Sequence, residues 1–189
     1  MISGNGSNLQ AIIDFIKGGE VDAEIVRVIS NKSNAYGLER AKNAGIPTHV
    51  QTLKSFKDRG LDREAFNKEL AQYVADLNPD LIVLAGWMLI LSESFVNRFV
   101  NKIINLHPSL PGDIVGANAI DNAYAEFKAG NRTKTGVMVH YVIPAVDEGK
   151  PILAREVPIL PEDSIEDLEN RIHQAEHQLL PLAIKQLLG

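Results

Sequence analysis

The sequence predicts an α/β protein: a doubly wound, mostly parallel sheet with a Rossmann-like layout, an antiparallel C-terminal extension and a long closing helix. Three observations carry this expectation. Short apolar runs alternate with helix-period segments from the N-terminus to Gly130, the pattern of right-handed β-α-β units. The run Leu81-Ile82-Val83-Leu84-Ala85 has no polar alternation, as a strand covered on both faces requires, and should be central. After Gly130 the pattern becomes two extended segments joined by an acidic turn, which predicts an antiparallel pair.

The expected strands are Glu24 to Ser30, Thr48 to Gln51, Asp80 to Ala85 and Lys102 to Leu106, followed by the pair Thr135 to Ile143 and Ile152 to Ile159. Helices are predicted at Ser7 to Lys17, Ala35 to Ala44 with Gly45 as its stop, Asp62 to Leu77 and Asn118 to Lys128. The last helix, Ser164 to Leu188, places Ile165, Leu168, Ile172, Ala175, Leu179 and Leu182 near the helical period, and Pro181 should bend it. One feature is odd. The loop Ser3-Gly4-Asn5-Gly6-Ser7-Asn8 ought to follow a first, central strand, yet only Met1 and Ile2 precede it, so a trimmed start or a gap in the sheet is expected, trimming foremost.

With 189 residues and 45% hydrophobic side chains, the chain suits one domain spanning 1–189. A formal net charge of -5 and the lack of any basic run argue against nucleic acid as a partner. Zero cysteines exclude disulfides, thiolate metal sites and cysteine nucleophiles, and suit a reducing compartment. No stretch approaches the roughly 20 apolar residues of a membrane span and no signal-peptide pattern opens the chain, so the expected location is the cytoplasm.

The candidate chemistry begins at Asn105-Leu106-His107-Pro108-Ser109-Leu110-Pro111-Gly112. Residues two apart in a strand share a face, so Asn105 and His107 would project together where Pro108 ends the ladder. Such a pair could stabilise a developing oxyanion, or could be a polar strand end with a satisfied histidine. Ser7 with Gln10 makes a capping box, and the glycines before it would leave backbone N–H groups at a helix N-terminus, a cradle for phosphate. Leu9 stands where the third glycine of a dinucleotide fingerprint belongs, so that fingerprint is absent.

Pro144-Ala145-Val146-Asp147-Glu148-Gly149-Lys150-Pro151 carries adjacent carboxylates. These are ordinary turn formers unless one reaches the His107 imidazole to orient it. His173-Gln174-Ala175-Glu176-His177 matches a zinc-hydrolase pattern, but no Asp, Glu, His or Cys follows it to complete a site, and polar helix positions are the simpler reading. His49 and His140 read as packing or hydrogen-bonded histidines. Trp87, with Met88-Leu89-Ile90-Leu91 behind it, reads as core or as the wall of a flat aromatic pocket.

Taken together in chain order, Gly4-Asn5-Gly6-Ser7-Asn8, Ala85-Gly86-Trp87-Met88, Asn105-Leu106-His107-Pro108-Ser109-Leu110 and Asp147 make the chain resemble the phosphoribosylglycinamide formyltransferases of purine biosynthesis. The resemblance covers nearly the whole chain. It is nearest the stand-alone fungal type, through the short loop after His107 and the segment Gly136-Val137-Met138-Val139-His140-Tyr141-Val142. The Asn-x-His-Pro-Ser-Leu element alone marks the wider set of formyltetrahydrofolate enzymes.

The resemblance implies transfer of a formyl group from 10-formyltetrahydrofolate, as co-substrate and without a metal, to the amine of glycinamide ribonucleotide. It makes Asn105, His107 and Asp147 catalytic and gives Gly6, Ser7 and Asn8 the phosphate. Glu176 and Met88 would contact the glycinamide and ribose portion. Leu89, Leu91, Ile143, Val146 and Asp147 would line the folate slot. The N-terminal half, about 1–100, then holds phosphate and the remainder the folate and the chemistry, in a monomer or homodimer that binds small molecules only. Leu89 replaces an arginine common in bacterial members, and Gly112-Asp113-Ile114-Val115-Gly116 departs from their longer loop. A formyltetrahydrofolate deformylase and a non-catalytic nucleotide-binding module are the alternatives. A methionyl-tRNA formyltransferase would need a further nucleic-acid-binding domain.

Overall fold

Residues 1–189 are described by a computed structural model. The elements run α1 (Ser7–Lys17), β1 (Val28–Ser30), α2 (Gly37–Asn43), β2 (Thr48–Val50), α3 (Leu53–Asp58), α4 (Arg63–Leu77), β3 (Ile82–Leu84), α5 (Glu93–Arg98), β4 (Ile103–His107), α6 (Ala119–Lys128), β5 (Lys134–Tyr141), β6 (Pro151–Pro158) and α7 (Ile165–Leu188). The pairs β1–β2 and β3–β4 are parallel, and β4–β5 and β5–β6 antiparallel. The α/β class and the antiparallel extension are therefore as expected; the short helices α3 and α5 are additions.

Hydrophobic side chains gather on both faces. One cluster joins α1 and α7 to β5 and β6 through Ile13, Val137, Leu168, Ile172 and Leu180. The other joins α3, α4 and α5 to β3 through Phe56, Phe66, Leu70, Ile82 and Phe95. Each such fully buried side chain stabilises the fold by about 1.5–3 kcal/mol relative to exposure.

The ladder is not continuous. It divides into β1–β2 and β3–β4–β5–β6, which makes β3 an edge of its own ladder rather than the central strand its composition predicts. Met1 and Ile2 lie between the two parts: Ile2 N–H donates to the Ile29 carbonyl, Ala85 N–H to the Met1 carbonyl, and the Met1 amine to the Val83 carbonyl. A cavity of about 820 Å³ opens beside this two-residue bridge, lined by Ile12, Ile16, Val26, Val28, Leu81 and Ile184. The predicted strand Glu24 to Ser30 accordingly shrinks to Val28–Ser30, because residues 24–27 have no partner for their ladder groups.

Helix starts also differ from expectation. α1 begins at Ser7, but the predicted Ser7–Gln10 capping box does not form; Gly6 caps it in the left-handed region at φ 76°, and its carbonyl accepts from Gln10 N–H. A true capping box stands at Ser164 and Asp167, opening α7, which continues through the buried Pro181. No helix is long and apolar enough to cross a membrane.

Candidate active site

Asn105 and His107 share a face of β4, as their spacing requires, and His107 is only 5% exposed. Across the antiparallel pair, Asn105 stands opposite His140 and His107 opposite Met138, so His140 joins the same face. The turn between β5 and β6 brings Asp147 over them. Its backbone is left-handed at φ 56°, a conformation costly for an aspartate and held here by its surroundings. Gly149 secures the return: a side chain there would collide with the Tyr141 carbonyl, and Tyr141 N–H already donates to the Lys150 carbonyl.

Asp147 is therefore held between two histidines. Its Oδ2 lies 3.5 Å from His107 Nδ1 and its Oδ1 lies 3.5 Å from His140 Nε2. Oδ2 also accepts from Gly116 N–H at 2.9 Å, and Oδ1 from Asn105 Nδ2 at 3.4 Å. Burial pulls the Asp147 pKa up, but the His140 hydrogen bond, the Gly116 N–H and the attraction of the two imidazoles when protonated outweigh it, leaving the carboxyl below its usual range. The contact foreseen between the acidic turn and His107 is thus made by Asp147; Glu148 stays exposed.

The ring nitrogens have distinct duties. His107 Nε2 sits 2.7 Å from the Ile114 carbonyl, which can only accept, so Nε2 carries a proton. Nδ1, at 3.5 Å from Asp147, is close enough for attraction yet not closed into a hydrogen bond, and its face remains available. His140 Nδ1 donates to the Tyr141 carbonyl at 2.9 Å. Its Nε2 therefore accepts from Asn105 Nδ2, 3.3 Å away, when bare, and donates toward Asp147 when protonated. His140 is thus a hydrogen-bonded histidine, one of the two expectations for it; that its partners include Asn105 and Asp147 follows only from its place opposite Asn105 in the register.

At the start of α1, Gly6 packs against Gly37, the first residue of α2, where a Cβ would lie 2.6 Å from the Gly37 Cα. This close approach exposes the first N–H groups of α1, at Ser7 and Asn8, to any anion in front of them. Arg40, which no pattern in the sequence signalled, brings a guanidinium to the same loop by donating from Nε and from Nη2 to Asn5 at 2.9 Å each. Asn8 Nδ2 donates to Glu176 Oε2 at 3.3 Å, joining this loop to α7. Glu176 is buried, which raises its pKa against the opposing Asn8 hydrogen bond and His173 charge. Burial also lowers the His177 pKa. No group of three or more His, Cys, Asp or Glu side chains is placed to hold a metal ion, and the glutamate of the H-x-x-E-H run turns to Asn8 instead.

The residues expected around the folate are less uniform. Met88, Ile143 and Val146 are exposed and free to cover a ligand, and Leu89 is half-buried. Leu91 instead places its side chain in the core with Trp87 and Phe95, so any contact from it to a ligand runs through its backbone. The cavity beside Met1 is lined by none of Asn105, His107, Asp147 or Glu176 and is no part of this site.

A histidine held by a carbonyl and faced by a carboxylate, beside an amide on the same strand, is the equipment of acyl-type transfer through an oxyanion. The family model described as formyl transferase matches residues 1–184, and the chain belongs to that family. It is 52% identical to the phosphoribosylglycinamide formyltransferase of Schizosaccharomyces pombe, over all of this chain and 95% of that one. It is 40% identical to the Escherichia coli enzyme of the same name, over 97% of this chain and 83% of that one. Among solved structures, a glycinamide ribonucleotide transformylase from Geobacillus kaustophilus superposes with a TM-score of 0.91 at 38% identity, covering 100% of this chain and 96% of that one.

Proposed function

We propose that this chain transfers the formyl group of 10-formyltetrahydrofolate to the amine of glycinamide ribonucleotide in purine biosynthesis. The amine nitrogen attacks the formyl carbon, the carbonyl becomes an oxyanion, and collapse breaks the carbon bond to the folate nitrogen. The amine loses one proton and the departing folate nitrogen gains one, so no covalent enzyme intermediate is needed. His107 Nδ1–H supplies one donor to the oxyanion; Asn105 supplies the other, the Nδ2–H that it gives to His140 when that ring is bare and releases when His140 is protonated and turns to Asp147. Asp147 favours the charged imidazole and relays the proton.

The convergence of His107, Asn105 and Asp147, with Nδ1 of the histidine left open, is the observation that carries this reading. Gly6, Ser7 and Asn8 hold the phosphate at the start of α1, aided by Arg40, while Glu176 accepts from the glycinamide or ribose. Met88 helps enclose that substrate. Leu89, Ile143, Val146 and the Leu91 backbone border the folate. In this division the N-terminal half serves the ribonucleotide and the C-terminal half serves the folate and the chemistry, in the cytoplasm, where a chain without cysteine has no disulfide to lose.

Tetrahydrofolate release, followed spectroscopically with and without glycinamide ribonucleotide, tests the reading. Release that requires the amine supports transfer; release with water alone would identify a hydrolase. His107→Ala should lower kcat by about 1000-fold, since both an oxyanion donor and a proton carrier are lost, while phosphate-dependent binding persists. Unchanged turnover in that variant rejects the mechanism.

A further inference from the structure

The segment after Pro111 forms a strap across His107. It is bounded by Gly112 and Gly116, both left-handed at φ 74° and 81°, which let the chain reverse at each end. Its root is seated where Gly136 leaves room: a Cβ on Gly136 would meet the Leu110 side chain and, at 2.6 Å, the Arg155 carbonyl. The buried Ser109 Oγ accepts from Ile114 N–H at 3.0 Å. With these anchors, the strap delivers two backbone groups to the site, the Ile114 carbonyl to His107 Nε2 and the Gly116 N–H to Asp147.

Between those anchors stands Asp113. Arg132 grips it with both guanidinium nitrogens, Nη1 to Oδ2 at 2.6 Å and Nη2 to Oδ1 at 2.7 Å. The same Arg132 donates from Nε to Glu126 of α6 at 2.7 Å and from Nη1 to the Lys134 carbonyl opening β5. Its side chain is only 14% exposed. A planar fork held by a helix and a strand fixes direction as well as distance, which a lysine could not do.

We propose that Arg132 is a positioning residue for formyl transfer: through Asp113 it holds the Ile114 carbonyl on His107 Nε2, so that Nδ1 is the nitrogen aimed at the reacting oxygen. The proposal rests on the reading of this chain as a formyltransferase for its kinetic consequence, but its structural consequence stands apart. The Arg132 guanidinium is taken up by Asp113, Glu126 and the Lys134 carbonyl. It acts by removing the freedom of Ile114, and with it the freedom of the imidazole to turn or to carry its proton on the wrong nitrogen.

Two measurements on Arg132→Met and on the nearly isosteric Asp113→Asn test this. Long-range proton–nitrogen correlation spectra of the ligand-free enzyme report which His107 nitrogen bears hydrogen. In spectra recorded at a pH high enough for the ring to be neutral, wild type should show the single, hydrogen-bonded Nε2–H tautomer, and both variants a mixture of tautomers. Steady-state kinetics should show kcat reduced by about 10–100-fold, with KM for glycinamide ribonucleotide within about twofold, because the phosphate loop is built on other elements. The double exchange Arg132→Asp with Asp113→Arg should recover part of kcat that each single exchange loses. An unchanged His107 spectrum in folded Asp113→Asn overturns the proposal, as does a kcat loss without a spectral change. Wild-type protein that shows the single Nε2–H form but transfers no formyl group refutes the assigned reaction and leaves the clamp standing.

Discussion

In the N-terminal half, β1 and β2 pair over three residues each and reach β3 only through Met1 and Ile2, with a cavity of about 820 Å³ alongside. In the C-terminal half, β5 and β6 are eight residues each and pair at seven positions, and α7 packs across them through Leu168, Ile172 and Leu180. The groups assigned to chemistry, Asn105, His107, His140 and Asp147, stand on or beside the continuous half. The loop proposed to hold phosphate, whose donors would be backbone N–H groups fixed by a helix start, stands on the interrupted one. Aligning proton donors within tenths of an ångström needs a scaffold that does not breathe, whereas an anion in front of a helix terminus tolerates more play.

Side-chain truncations in the two halves should differ in cost. Ile172→Ala, in the sealed part, should cost about 4 kcal/mol, and Ile12→Ala, facing the cavity, about 2 kcal/mol, since the second site already lacks neighbours on one side. Urea denaturation measures both, and equal losses would show that the cavity is closed in solution. Next in size, Asp163→Asn should cost about 2 kcal/mol at neutral pH by cutting the Arg171 fork, whose bonds measure 2.6 and 2.8 Å. Those bonds are the main reason the Asp163 carboxyl titrates below its usual range; burial opposes them, and the Leu160 N–H and the Arg171 charge add to them. A depressed pKa contributes stability that is complete above the unfolded value near 4 and vanishes as pH falls through the folded one. The gap in melting temperature between wild type and Asp163→Asn should therefore narrow on acidification below about pH 5. The smallest effect is kinetic. Amides of β1 should exchange with solvent about tenfold faster than those of Val137 to Val139.

How much of this was legible depended on how far apart the partners lie. Helices α4 and α7 and the shared face of Asn105 and His107 follow from periods of 3.6 and 2 that any reader of the chain can count. The length of β1 was not legible, because a strand ends where its neighbour ends and that neighbour is elsewhere in the chain. The cap of α1 moved from Ser7 to Gly6 because close packing on Gly37 favoured a left-handed residue there. His140 was expected to pack or to hydrogen-bond, and only the register, which sets it opposite Asn105, names its partners. Arg132 and Asp113 lie 19 residues apart, across α6, and only the folded strap gives either a purpose.

The irregularity between β5 and β6 at Val139 and His140 has a consequence for how this chain tolerates change in length. Val139 pairs with Leu153 and His140 with Pro151, so Ile152 is left over and absorbs a one-residue offset. Between β4 and β5 there is no such allowance: partners step evenly from Ile104 with Tyr141 to His107 with Met138. Inserting or deleting one residue at Ile152 would be taken up locally, whereas the same edit between Ile103 and His107 would exchange odd for even and turn the imidazole to the far side of the sheet. The position of His107 is thus kept by counting, and the leftover isoleucine is where the count can change without harm.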